Sequence, residues 1–299
     1  MTTADNLNRI IQAKNDIKTA IENKGVAVGD ITIDGYAEKI GEIEQGGGKW
    51  VAPDGISFQK STLDVFDGTQ IDVSNLTTML RLFGECSELT SVDLSNWDTS
   101  NITSMSYLFY MCSKLTTADL SNWNTSNVTN MNGLFYKCYE LTSVDLSNWN
   151  TSNVTNMGNF FSDCTKLTTI RGLENWLTSN VTSITSMFYG CYKLASVDFL
   201  RNWDVSQITN LTNLFATCSE LTSVDLSNWD TSKVTSMSYL FSSCYNLSEI
   251  KMGGDVSKVS NVYNMFYNVK ENGTFYYNSQ YDYSMIIAEL PSTWTAIPM

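Results

Sequence analysis

The chain of 299 residues contains no histidine, and it has only 18 lysines and arginines against 31 aspartates and glutamates. The absence of histidine excludes Ser-His-Asp and Cys-His catalysis and histidine-ligated zinc. The net charge of −13 disfavours binding to nucleic-acid phosphates. No apolar run reaches the roughly 18 residues of a membrane span. Nucleotide and metal motifs are also missing, so we predict no enzyme activity, no catalytic or metal-binding residue and no cofactor.

Charge is scarce as well, because only 16% of the residues are charged, whereas serine, threonine and asparagine together number 97. Apolar residues make up 42% of the chain, which is enough for a sizeable core. The N-terminal sequence MTTADNLNRIIQAKND lacks the basic start and apolar middle of a secretory signal. We therefore expect synthesis in a cytoplasm without an export signal.

Seven cysteines follow one another at intervals of 26 or 27 residues, at positions 86, 112, 138, 164, 191, 218 and 244. A fixed period of this length indicates a solenoid. There is one cysteine per repeat and no CxxC pair, which favours a buried column of free thiols over disulfides or a metal site. Val269 fills the eighth position of the column, as a packing role allows.

Each repeat carries two hydrophobic patterns. Val92 and Leu94 alternate with polar residues, which predicts a short strand with one buried face. The steps from Ile102 to Met105, Phe109 and Cys112 are typical of one face of a short helix. Parallel stacking of such units would bury a continuous core.

Other columns repeat in register with the cysteines. Phenylalanines lie three residues before each cysteine, and a tryptophan column runs from Trp97 to Trp229. Both are interpreted mainly as core packing. Two units carry one extra residue, within 171–173 and within 199–201, and we expect each to bulge the stack.

The unit LTSVDLSNWDTSNITSMSYLFYMCSKL resembles the leucine-rich repeat of BspA-like bacterial surface proteins, and the resemblance covers about residues 71–269. It implies a parallel-stranded solenoid used for adhesion to host matrix or other cells. The predicted fold class is an α/β solenoid of about eight strand–helix units. Residues 49–70 are predicted to cap its first end. The aromatic stretch within 270–299 is similar to the closing cap of BspA-like repeats.

A small module is predicted before the solenoid, at residues 1–45, followed by a glycine linker at 46–48. Residues 4–23 are predicted to form a helix that joins copies of the chain, most simply as a trimer, through the apolar stripe Leu7, Ile10, Ile11, Ile17 and Ile21. The segment AKNDIKTAIENKGVAVGDITIDGYAEKI is similar to short segments of phage tail, fibre and other virion proteins. That resemblance implies attachment to other virion proteins.

Two exposed surfaces are candidates for ligand binding. The outward strand position gives a mostly acidic stripe of Asp72, Asp93, Asp119, Asp145, Arg171, Asp198 and Asp225. These residues either face a basic ligand or a cation, or form a solvated face that bonds neighbouring serines. The second candidate is a set of tyrosines at positions that vary between repeats: Tyr107, Tyr110, Tyr136, Tyr139, Tyr189 and Tyr192. They either stack on sugars or protein ligands, or simply pack between repeats.

Two functions fit these features. The first is a non-enzymatic bacteriophage virion protein, a head or tail fibre or decoration subunit, that presents the repeats to a host-surface protein or glycan. The second is a BspA-like adhesin on a bacterial cell surface.

Overall fold

The computed structural model describes residues 50–52, 56–59, 64–69 and 71–299. The predicted attachment module and glycine linker lie outside the described residues. The same holds for the stripe that was predicted to join copies of the chain, at Leu7, Ile10, Ile11, Ile17 and Ile21.

The chain winds into a solenoid of about eight coils in which short strands pair in parallel. The strands are β1 (Trp50–Val51), β2 (Val65–Asp67), β3 (Ile71–Asp72), β4 (Ser91–Asp93), β5 (Thr117–Asp119), β6 (Ser143–Asp145), β7 (Thr169–Arg171), β8 (Ser223–Leu226), β9 (Glu249–Met252), β10 (Thr274–Tyr277) and β11 (Thr295–Pro298). Their order is β1-β3, β2-β4, β5-β6-β7 and β8-β9-β10-β11. The parallel-stranded solenoid predicted from the sequence is confirmed.

Strand register places the alternating apolar residues on one inner face. Val144 of β6 lies opposite Ala118 of β5 and Ile170 of β7. A second line of parallel bridges joins the coils farther along each repeat, as between Ser104 and Asn130. Most coils are therefore bonded to their neighbours along two lines.

The predicted helix in each repeat is wrong, and with it the α/β class. Between Met105 and Cys112 the chain forms a series of turns. Its N–H groups alternate between a carbonyl three residues back in the same coil and a carbonyl in the next coil. Thus Leu108 N–H donates to the Met105 carbonyl (3.2 Å), and Phe109 N–H donates to the Leu134 carbonyl (2.9 Å). The described residues contain one α-helix, α1 (Ser284–Ala288), and two 3₁₀ helices, η1 (Leu173–Asn175) and η2 (Asp198–Asn202).

Left-handed residues explain why the helical spacing was misleading. Tyr107 and Met111 have φ values of 58° and 57°, and equivalent residues in other coils share this conformation. A left-handed residue every fourth position turns the chain so that side chains three and four apart still point inward. In a helix the backbone N–H groups donate to carbonyls of the same helix. In this backbone about half of the N–H groups donate to carbonyls of the next coil instead. Those bonds offset a cost of about 1–2 kcal/mol for each left-handed residue.

The aromatic columns are stacked within the core, as predicted. Phe109 lies 5.4 Å from Phe83 and 5.5 Å from Phe135, ring centre to ring centre, with nearly parallel planes. Trp97 and Trp123 are similarly stacked at 6.4 Å. Most indole N–H groups donate to a carbonyl of the preceding coil: Trp97, Trp123, Trp149, Trp203 and Trp229. Buried stacking thus comes with a satisfied indole donor.

The cysteine column is made of free, buried thiols, as predicted. Each sulfur has a fixed partner, since Cys138 Sγ lies 3.1 Å from the Phe109 carbonyl of the preceding coil. That carbonyl also accepts the N–H of Cys112 at 3.0 Å. Val269, at the eighth position, packs against the same core.

The extra residues disturb the stack where expected, and they also replace a strand. Gly172 adopts φ 95° and leads into η1, and in the next coil η2 stands where a strand was predicted. The strand column therefore stops at β7 and resumes at β8. Among the described residues, the buried polar atoms without a hydrogen-bond partner are Trp176 Nε1 and Thr178 Oγ1, both in this region.

The two ends continue the stack. In the predicted first cap, β2 pairs with β4, and Phe58 stacks on Phe83 at 5.4 Å. In the predicted last cap, β10 and β11 extend the sheet beyond β9, and Phe275 is fully buried. The final strand carries Pro298 at the sheet edge, where a missing N–H donor is tolerated.

The thiol column predicts loss of stability in alkali. Burial raises the pKa of Cys244 from the usual 9.0 to about 12 and also raises the pKa of Cys112, Cys138, Cys164, Cys191 and Cys218. Above pH 9 the unfolded chain releases protons that the native chain retains, so the free energy of unfolding should fall as pH rises. Urea unfolding at pH 7.5, 9.0 and 10.5 measures this fall.

Cys244→Val is the matched control, because valine already occupies the equivalent position 269. Removing one titrating thiol should reduce the fall by up to about 1.4 kcal/mol per pH unit. An identical pH dependence in wild type and Cys244→Val would contradict a buried thiol at this position.

Gly172 should be intolerant of any side chain. A Cβ atom there would lie 2.4 Å from the Ser147 Cα atom, and φ is already in the left-handed region. We expect Gly172→Ala to lower the free energy of unfolding by about 3 kcal/mol or more. Gly84→Ala is the control, since its Cβ would meet nothing closer than Arg81 at 3.2 Å, and should cost less than about 1 kcal/mol. Equal stabilities of the two variants in urea unfolding would refute this explanation.

Candidate ligand-binding site

The predicted acidic stripe is only partly a single column. Asp119, Asp145 and Arg171 lie opposite one another on β5, β6 and β7. Asp225 lies opposite Lys251 on β9. Asp93 lies opposite Asp67, which the sequence analysis did not include in the stripe.

Two predicted members of the stripe are elsewhere. Asp72 lies opposite Val51 on the separate β1–β3 pair, so the register places it outside the column. Asp198 is in η2, where the extra residue of that coil replaces the strand, and its carboxylate faces Arg201 at 3.6 Å. Arg201 also reaches Asp225 at 3.5 Å and lines a shallow groove of about 330 Å³.

The strand aspartates bond the turn that follows them. Asp145 accepts the Ser147 N–H at 3.0 Å and the Ser147 hydroxyl at 2.6 Å, and these bonds lower the pKa of the carboxyl group, with a further contribution from Arg171. Three other aspartates accept the same pair of bonds from the serine two residues on: Asp93, Asp119 and Asp225. One carboxylate oxygen of each of these four aspartates therefore holds the following turn in place.

A metal site is not formed by these carboxylates in the described part of the chain. Within those ranges, no group of three or more cysteine, aspartate or glutamate side chains is placed to hold an ion. Ligand binding by the stripe stays a prediction.

The tyrosines, in contrast, form a clustered surface beside the turns. Tyr110 lies 5.7 Å from Tyr107 and 5.4 Å from Tyr136, ring centre to ring centre. Arg81 lies over the rings of Tyr107 and Tyr110, at 5.4 and 5.6 Å from their centres. Lys137 lies over the Tyr136 ring at 5.1 Å. Arg81 and Lys137 therefore make cation–π contacts, which stabilise the arrangement of these side chains.

Tyr139 and Tyr192 occupy the position just after the cysteine in their coils, and Thr165 separates them in that column. Both tyrosines are exposed. Tyr189 follows Tyr136 in the column two residues before the cysteine, with Ser162 between them. The predicted tyrosines therefore fall on either side of one coil that has small residues at both positions.

A half-buried carboxylate lies in that intermediate coil. Burial raises the pKa of Asp163, and the nearby Lys137 ammonium partly offsets the effect. Burial also raises the pKa of Tyr139 and of Tyr189, and the Asp163 charge adds to both effects. Asp163 thus lies within electrostatic reach of a tyrosine on each side.

The sequence analysis missed Arg81, Lys137 and Asp163 as parts of this surface. A signal for them was available in the repeat alignment. Arg81 holds the same position before the cysteine as Tyr107, and Lys137 and Asp163 each immediately precede a cysteine. Searching only for aromatic residues overlooked charged residues in the same outward columns.

None of the helices in the described part of the chain has the length and apolar character that crossing a bilayer requires.

Comparison with solved structures finds bacterial leucine-rich repeat proteins. One from Bacteroides ovatus is 15% identical, with a TM-score of 0.37, and the match covers 83% of this chain and 65% of that protein. A leucine rich cell surface protein from Faecalibacterium prausnitzii is 16% identical, with a TM-score of 0.32 and coverage of 73% and 91%. A leucine-rich repeat protein from Eubacterium ventriosum is 14% identical, with a TM-score of 0.26 and coverage of 70% and 81%. The chain spans less than two thirds of the Bacteroides protein.

No curated protein matches the chain. A family model described as "Mycoplasma protein of unknown function, DUF285" matches residues 57–171 and again residues 161–276. These two matches take in most of the solenoid and more than half of the chain. The chain therefore belongs to the DUF285 family.

Proposed function

We propose that this protein is a non-enzymatic ligand-binding solenoid that uses its tyrosine surface to attach to a protein or glycan on a cell surface. The tyrosine surface consists of Tyr107, Tyr110, Tyr136, Tyr139, Tyr189 and Tyr192. The acidic strand face is the secondary candidate, because its carboxylates are already bonded to the turns that follow them.

The observation that carries this proposal is the contrast between inner and outer columns. Phenylalanine fills the position three before the cysteine in every coil, whereas the position two before it varies among glycine, tyrosine, serine and alanine. Packing explains the inner column but does not require the half-buried tyrosine rings of the outer one. Tyrosine on a rigid backbone supplies contact area and a hydroxyl group at low entropic cost.

Chemistry on a bound substrate is not part of the proposal. The chain has no histidine. The cysteine sulfurs are buried and hydrogen-bonded to carbonyls, with pKa values raised by burial, which makes them poor nucleophiles at neutral pH. Both features support a binding role.

A binding panel tests the proposed function. The full-length protein should bind at least one member of a panel of extracellular-matrix proteins and surface polysaccharides in biolayer interferometry. A variant with Tyr110→Ser and Tyr136→Ser should lose at least tenfold in affinity for that member, because it loses two adjacent rings.

Tyr267→Ser is the matched control, since Tyr267 occupies the same repeat position, is 56% exposed and lies far along the stack. It should bind as the wild type does. Equal binding by all three proteins would show that the tyrosine surface is not the binding site. No binding to any member would argue against an adhesive function.

As the carrier of this surface we propose a bacteriophage virion, in which the protein is a head or tail fibre or decoration subunit. Support comes from the resemblance of residues 13–40 to virion proteins and from the glycine linker that follows. The second candidate is an adhesin on a bacterial cell surface. It is favoured by the BspA-like repeats, because those repeats account for the described solenoid without any virion partner.

Oligomeric state separates these carriers. If residues 4–23 join three copies, light scattering of the full-length protein should give about three times the chain mass of 33.5 kDa. Ile10→Asp with Ile17→Asp should reduce it to the mass of one chain, because a buried stripe does not tolerate unpaired charge. Gln12→Asp adds the same kind of charge off the stripe and should stay trimeric. A monomeric wild type would remove the fibre mechanism and favour the adhesin.

A further inference from the structure

Two pairs of tyrosines stand on either side of a single coil. Tyr136 and Tyr139 belong to the coil before it, and Tyr189 and Tyr192 to the coil after it. Tyr139 and Tyr192 are 36% and 44% exposed, while Tyr136 and Tyr189 are half-buried. The four rings form two short walls.

The coil between the walls has small residues at both of these positions. Ser162 fills the position of Tyr136 and Tyr189, and it is buried. Thr165 fills the position of Tyr139 and Tyr192, and its hydroxyl donates to the Tyr139 carbonyl at 2.9 Å. In the neighbouring coils before this gap, Tyr110 and Tyr136 fill the same column without interruption, with ring centres 5.4 Å apart.

The gap has a suitable width for a flat ring. Walls that are two coils apart stand roughly 10 Å from each other in a parallel stack. A ring placed between two aromatic faces needs about 7–8 Å, which is two van der Waals contacts of 3.5–4.0 Å. At that separation a single six-membered ring would have room between the walls, whereas adjacent coils leave no such space.

The floor of the gap carries a carboxylate that is available to a ligand. The described residues give the Asp163 side chain no hydrogen bond and no ion pair. Gly190 makes room for it, because a Cβ atom at Gly190 would lie 2.6 Å from Asp163 Oδ1. A half-buried acceptor without a bonded donor favours a ligand that supplies hydroxyl groups.

The local charge is balanced. Lys137 lies over the Tyr136 ring and acts electrostatically on Asp163. A cationic ligand would be attracted by Asp163 but repelled by Lys137, and an anionic ligand would meet the reverse. A neutral ligand with hydroxyl groups can use both as hydrogen-bonding partners.

We propose that the notch formed by Tyr136, Tyr139, Asp163, Tyr189 and Tyr192 binds one neutral hexopyranose ring of a glycan. The apolar faces of the sugar stack against tyrosines, and its hydroxyl groups donate to Asp163 and accept from Lys137. This inference rests on the proposed binding function and assigns a ligand class and a site to it.

Saturation-transfer NMR on the full-length protein tests the notch. The probes are the methyl glycosides of glucose, galactose, mannose and N-acetylglucosamine, with tetramethylammonium as a cationic probe. At least one glycoside should receive saturation and bind with a Kd in roughly the millimolar range, as expected for a single sugar ring. Tetramethylammonium should receive none.

Three variants should weaken that binding for different reasons. Tyr189→Ala removes one wall and should raise Kd at least tenfold. Asp163→Asn keeps the shape but weakens the acceptor and should raise Kd several-fold. Ser162→Tyr fills the gap with a residue that this column accepts in other coils, and it should abolish binding.

Tyr245→Ala is the matched control, because Tyr245 lies just after its cysteine as Tyr139 and Tyr192 do, and it should bind as wild type. Near-ultraviolet circular dichroism establishes that each variant is folded.

The outcomes separate the notch from the broader function. If a glycoside binds the wild type and the three variants equally well, or if only tetramethylammonium binds, the notch proposal is overturned. If no glycoside binds while the biolayer panel finds a ligand, the notch is overturned and the adhesive function stands. If a glycoside binds and the variants lose it in the expected order, the notch is established even where the panel ligands fail.

Discussion

Backbone hydrogen bonds between successive coils are the constraint on which the rest of the structure depends. Thr129 N–H donates to the Thr103 carbonyl at 2.9 Å, and Thr155 N–H repeats this bond to Thr129 at 2.8 Å. Because the offset is one repeat each time, residues at equal positions must lie on top of one another. The stacked phenylalanines, the indoles bonded to carbonyls and the thiol column are consequences of that offset. Each coil interacts mainly with its neighbours, so stability accumulates along the stack.

The coils with an extra residue show what happens when the offset changes. Arg171 still pairs in register with Asp145, but Gly172 follows in a left-handed conformation. The next coil forms a 3₁₀ helix in place of a strand. Trp176 and Thr178 lose the hydrogen-bond partners that their equivalents have in other coils. In a stack whose stability is approximately a sum of neighbouring interfaces, these losses fall on the interfaces between this coil and its neighbours. The disturbance remains local, because regular pairing resumes at β8.

The inner columns could be predicted from the sequence because they obey a strict period, and burial leaves few side chains that fit. The class of secondary structure could not. The spacing of Met105, Phe109 and Cys112 suits a helix and a series of turns equally well, and only the bonds to the next coil decide between them. For the candidate binding surface, the structure brings Tyr107, Tyr110 and Tyr136 together, and ligand binding by the tyrosines stays a prediction. The position of Asp163 before a cysteine is visible in the repeat alignment, but its surroundings, tyrosines in each neighbouring coil and the space left by Gly190, are visible only in the structure.

The outward positions of each coil differ in backbone conformation. The positions five before and one before the cysteine hold left-handed residues, among them Asn159 and Asp163 in one coil. The left-handed conformation raises the free energy of most residues, and the increase is smallest for asparagine, aspartate and glycine. Tyr136 and Tyr139 occupy the two other outward positions, which have ordinary backbone angles in this chain. Substitution there changes the surface without adding strain to the coil. The surface can therefore change at these two positions in each repeat while the hydrogen bonds between coils stay the same.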